Sequence, residues 1–106
     1  MALYTQLLVR EAANDPLRVG IVGAGKFGSM YLAQVIRPPG VHLVGIVDLS
    51  IDNAKRSLKR VGWPAEQYAA TSLDAAVQSG ATYVGEDVDK LVRHPALDII
   101  VECTGH

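Results

Sequence analysis

Ten consecutive residues, Val19-Gly20-Ile21-Val22-Gly23-Ala24-Gly25-Lys26-Phe27-Gly28, constrain this chain more than any other stretch. An apolar, β-branched run enters a turn with glycines at Gly23, Gly25 and Gly28, and the turn opens into a segment with helical spacing. That is the strand, loop and helix order of a βαβ unit built around a dinucleotide. Each glycine has a steric task. Gly23 turns the chain sharply off the strand, Gly25 has no Cβ to hold a pyrophosphate away from the backbone, and Gly28 lets the helix approach the strand closely. The N–H groups at the helix start, around Lys26 to Gly28, then face the phosphates, and the positive end of the helix dipole favours their charge.

A glycine loop alone is a weak signal. It gains weight from a second apolar run, His42-Leu43-Val44-Gly45-Ile46-Val47, which delivers Asp48 twenty residues beyond Gly28. A carboxylate there suits the two hydroxyls of an adenosine ribose and repels a 2′-phosphate, which favours NAD. Lys55, Arg56, Lys59 and Arg60 on the following helix pull the other way, because a nearby cation accommodates that phosphate; they also read as a solvated helix face. NAD and NADP both stay open. Lys26 reads either as a direct phosphate contact or as a solvated cation.

The 106 residues, 49% of them apolar, suffice for the core of one small domain. Ten basic and eleven acidic residues give a net charge of −1, so nothing points to nucleic acid or an anionic membrane as partner. No apolar run approaches the roughly 18 to 20 residues that span a bilayer, and Met1 to Arg10 lacks the layout of a signal peptide. The single cysteine, Cys103, cannot close an intramolecular disulfide, and a reducing cytoplasm is the expected location. Cys103 reads as a small buried apolar residue rather than a nucleophile. His42, His94 and His106 show no metal-ligand spacing, so no metal is expected.

Taken in order, residues 1–17 form a short amphipathic helix over Tyr4 to Ala13, closed by Asn14-Asp15-Pro16 and expected to cover one edge of the sheet. Residues 18–106 form a Rossmann-type, doubly wound α/β domain with a parallel sheet in the order 3-2-1-4. The helix after the glycine loop carries Met30, Tyr31 and Val35 and stops at Pro38-Pro39-Gly40. Ser50 caps the next helix, whose Ile51, Ala54, Leu58 and Val61 share a face, and Gly62-Trp63-Pro64 ends it. Tyr68 to Thr71 reads as a short strand or as merely extended chain; Thr71 with Asp74 forms a capping box for a helix ending at Gly80. Thr82-Tyr83-Val84 makes the third strand. Asp87 caps a helix that turns Val88, Leu91 and Val92 inward and stops at His94-Pro95. Leu97 to Val101 is a strand buried on both faces. The switch point then lies between the first and fourth strands, with Gly23 to Gly28 facing Cys103 to Gly105. These residues read as the front part of a longer protein whose catalytic part follows, with a sheet edge that allows self-association.

With these motifs placed, the chain resembles the NAD(P)-binding domain of homoserine-dehydrogenase-like oxidoreductases through Val19 to Gly28, Val47-Asp48-Leu49-Ser50 and Asp98 to His106. Gly25-Lys26-Phe27-Gly28-Ser29-Met30 and Arg60-Val61-Gly62-Trp63 are similar to a SAF-domain-containing branch that includes 1-deoxyxylulose 5-phosphate reductoisomerase-like enzymes, which use NADPH. The resemblance implies that Gly23, Ala24, Gly25, Lys26, Phe27 and Gly28 form the phosphate loop. It further implies that Asp48 meets the ribose and that Thr104 and Gly105 approach the nicotinamide. It carries over no catalytic residue, implies a small carbonyl or hydroxy substrate held by a further domain, and leaves this stretch alone without turnover. Three other readings stay open: a non-catalytic redox sensor, a phosphorylating aldehyde dehydrogenase suggested by Glu102-Cys103-Thr104-Gly105, and a methyltransferase, which the glycine at Gly28 disfavours.

Overall fold

The computed structural model describes residues 2–13, 15–23 and 39–102. Four strands, β1 (Leu17–Val22), β2 (Val41–Val47), β3 (Tyr83–Gly85) and β4 (Ile99–Glu102), form one parallel sheet in the order β3-β2-β1-β4. This is the expected Rossmann-type order 3-2-1-4. Helix α1 (Ala2–Ala12) precedes the sheet, α2 (Ile51–Arg60) follows β2, α3 (Leu73–Ser79) precedes β3, and α4 (Val88–Arg93) joins β3 to β4. The helix expected after the glycine loop lies outside the described residues.

Two apolar layers sandwich the sheet. On one face Val19, Ile21, Leu43, Ile46 and Val84 meet Ala54, Leu58 and Trp63 from the α2 side. On the other, Val44 and Val47 meet Leu73 and Ala76 of α3 and Leu91 of α4. Strict alternation along β2 would place Val44 and Ile46 together. A bulge prevents this: the register runs Val19↔Leu43 and then Gly20↔Gly45, so Val44 is an extra residue. The insertion resets the alternation, returning Ile46 to the α2 side and Val47 to the other. Gly20 and Gly45, paired across the strands, stay small because α3 and α4 come down on them. A Cβ on Gly45 would sit 2.7 Å from methyl groups of both Leu73 and Leu91.

Local signals set the helix ends. Ser50 caps α2, its Oγ accepting from the Asn53 N–H at 3.2 Å. The other end closes as expected at Gly62, with φ +88°. The Gly62 N–H donates to Lys59 O at 3.1 Å and that of Trp63 to Leu58 O at 3.0 Å, the paired bonds of a Schellman motif. Asp87 caps α4 and Gly80 ends α3 in the left-handed region.

Four expectations need correction. The α3 cap is Ser72, whose Oγ accepts from Ala75 N–H at 3.0 Å; Thr71-Asp74 forms no capping box because the helix starts one residue later. Tyr68 to Thr71 is not a strand: Ala65–Tyr68 is a 3₁₀ turn, and Ala70 makes one bridge to Tyr83. On the six-residue α4 only Leu91 is buried, while Val88 and Val92 are 44% and 55% exposed, since so short a helix offers the sheet a single turn-facing position. Strand β4 is an outer strand of the described sheet, and its Ile99 is 43% exposed rather than covered on both faces. Helix α1 is formed as expected, with Leu8 and Val9 exposed.

Candidate functional site

The parallel register sets Gly85, Val47, Val22 and Glu102 in one row across the carboxyl edge of the sheet. The residues that follow this row on β1 and β2 are Gly23 and Asp48. Gly23 has φ +82°, in the left-handed region that favours glycine, and its N–H donates to Val47 O at 2.6 Å. The Asp48 N–H donates to Gly85 O at 3.0 Å. The ladder therefore runs one step past the strands, and the turn off β1 and the carboxylate after β2 hang on the same row.

Asp48 is half-buried, and its Oδ1 accepts from the Ser50 N–H at 3.2 Å. The same Ser50 caps α2 through its hydroxyl, so the carboxylate is positioned by the helix start that follows it. Adjacent to this row on the far side of β1 lies β4, whose Glu102 pairs with Val22. The β1–β4 junction is the switch point of the sheet, where open α/β folds bind ligands. A left-handed glycine turn at the end of β1, a positioned carboxylate at the end of β2 and this crevice together fit a dinucleotide.

Of the residues implicated from sequence, the structure brings Gly23 and Asp48 together. Ala24, Gly25, Lys26, Phe27, Gly28, Thr104 and Gly105 lie outside the described residues, as does Cys103. Lys55, Arg56 and Lys59 line a shallow surface groove with Asp52 and Tyr68 along α2. His94 is taken up structurally. Its Nδ1 accepts from Ala96 N–H at 3.2 Å, which leaves Nε2 to donate to Asp74 Oδ1 at 2.7 Å. Among the described residues no group of histidine, cysteine and carboxylate side chains could hold a metal, and no helix is long and apolar enough to cross a membrane. Sequence reasoning missed Gly85, whose carbonyl anchors Asp48; the glycine ending a short apolar run was the available signal.

Sheet order, glycine turn and carboxylate define a Rossmann-type nucleotide-binding domain. The chain belongs to the oxidoreductase family with an NAD-binding Rossmann fold (Gfo/Idh/MocA), whose model matches residues 17–105. It is also similar to glycosyl hydrolase family 109 protein 1 of Akkermansia muciniphila, 46% identical over 48 residues. That match covers 45% of this chain and 10% of the relative, so the chain spans only a small part of the length of this curated relative.

Proposed function

We propose that this domain binds NAD(H) across the carboxyl edge of its sheet and serves a protein that moves hydride between the nicotinamide and a small carbonyl or hydroxy compound. The observation that carries this is the shared row: Gly23 turns off β1 in the left-handed region while bonded to Val47, the residue directly before Asp48. Gly23, Ala24, Gly25, Lys26, Phe27 and Gly28 hold the pyrophosphate, Asp48 takes the ribose hydroxyls, and Thr104 and Gly105 line the nicotinamide side. When bound, the nicotinamide supplies the hydride chemistry; the chain fixes its orientation and shields it from water.

The Asp48 carboxylate favours NAD over NADP through repulsion of a 2′-phosphate. The homoserine-dehydrogenase-like and reductoisomerase-like types rest on the sequence resemblance alone, and with them the NADPH preference. The substrate is held by a part of the protein beyond these residues, and a single cysteine supports a place in the reducing cytoplasm. A second reading, glycoside hydrolysis by the whole protein, is supported by the match to a relative whose name states that activity. It leaves the dinucleotide assignment intact, because that relative is a member of the same family.

Measuring NADH and NADPH affinity for the protein and for Asp48→Ala tests the assignment. The variant should lose its preference for NADH. An unchanged affinity ratio removes Asp48 from the ribose site.

A further inference from the structure

A cavity of about 510 Å³ opens at the pole of the sheet opposite the glycine turn, within the size range of small-molecule sites. It lies at the amino-terminal ends of β1 and β2, between the 3₁₀ turn and the end of α3. Along β1, Arg18 is four residue steps from the Val22 row, about 13 Å at the usual rise of a strand. The cavity floor holds Arg18 and His42, which are register partners across β1 and β2. Val41, Leu43 and the indole of Trp63 add apolar wall, and Gln78 stands at the lip.

Charge on this wall is one-sided. Arg18 is the only fully charged side chain among the described lining residues, and no carboxylate joins it there. Asp15 reaches the guanidinium from outside at 3.7 Å and is itself 65% exposed, a surface pairing of little strength. Two lining residues also carry buried donors with no acceptor: Arg18 through Nε, and Trp63, only 6% exposed, through Nε1. Buried N–H groups rarely go without an acceptor. We propose that this cavity binds a small organic monocarboxylate, its oxygens on Arg18 and its apolar body against Val41, Leu43 and Trp63.

These 106 residues hold one tryptophan, so tryptophan fluorescence of this domain reports this wall alone. Titration with benzoate should change Trp63 emission saturably, and the neutral isostere benzamide should not. Arg18→Gln should weaken benzoate binding by about tenfold or more, the worth of one charge-assisted hydrogen bond. Gln78→Glu, on an exposed position of α3, should do the same by placing a negative charge at the lip, and it decides the matter if Arg18→Gln fails to fold. Absence of a saturable benzoate response, an equal response to benzamide, or unchanged binding in folded Gln78→Glu overturns the proposal.

Discussion

The amide of Gly23 donates to the carbonyl oxygen of Val47 at 2.6 Å, which fixes the first residue of the glycine loop to the residue before Asp48. The two halves of the dinucleotide signature, separated by twenty-five positions in sequence, are thereby one hydrogen bond apart. The β2 bulge contributes as well. By inserting Val44 it sets the phase in which Val47, and then Asp48, leave the sheet.

Gly25→Val should weaken dinucleotide binding at least about tenfold while leaving the thermal transition in place. The branched side chain would stand where the pyrophosphate approaches the backbone. Calorimetric titration of the folded variant checks this, and undiminished affinity would remove the phosphate-loop assignment.

Gly45→Val acts on the fold instead. A Cβ there lies 2.7 Å from methyl groups of Leu73 and Leu91, and Leu91 is fully buried, so α3 and α4 must move outward. The expected loss is about 1 to 3 kcal/mol, the usual cost of overpacking, measured by urea denaturation. A variant as stable as the parent would show that the two helices do not rest on this glycine.

Gly62→Ala isolates a backbone effect, because open space surrounds the position and only φ +88° resists a side chain. About 1 to 2 kcal/mol should be lost, the cost of the left-handed conformation for an L-residue. The substituted Cβ touches nothing, so a null result in the same denaturation assay would mean that the α2 cap relaxes freely.

His42 should make the fold acid-sensitive. Burial lowers its pKa from the usual 6.5, the nearby positive charge of Arg18 lowers it further, and the hydrogen bond to Ala81 O opposes both only in part. The unfolded chain therefore takes up the proton first. Stability is undiminished above pH of about 6.5 and falls as the pH drops from there toward the lower folded value. Melting temperatures at pH 7.5 and 5.5 should differ more for the parent than for His42→Gln; equal differences would mean that His42 does not titrate in this window.

Much of this was legible because it is local. Ser50, Asp87, Gly62 and Gly80 announce helix ends by their own chemistry, and the glycine loop followed by Asp48 gives the sheet order through a known motif geometry. What stayed hidden depends on distant partners. The bulge at Val44 appears only when β2 is laid against β1. Val88 and Val92 have helical spacing, yet their exposure follows from how much sheet α4 covers. Arg18 and His42 look unrelated along the chain and become neighbours through register alone. In the candidate site, Gly23 and Asp48 were found by motif, while the Gly85 carbonyl that holds Asp48 needed the third strand in place.

The central claim is that this domain holds a nicotinamide dinucleotide through the glycine turn and Asp48. Isothermal titration of the protein with NADH, NADPH and S-adenosylmethionine in parallel tests it most directly. Saturable binding of NADH, tighter than that of NADPH and with no heat from S-adenosylmethionine, is the predicted result. Binding of S-adenosylmethionine with neither reduced dinucleotide, or no binding of any of the three, would contradict the claim.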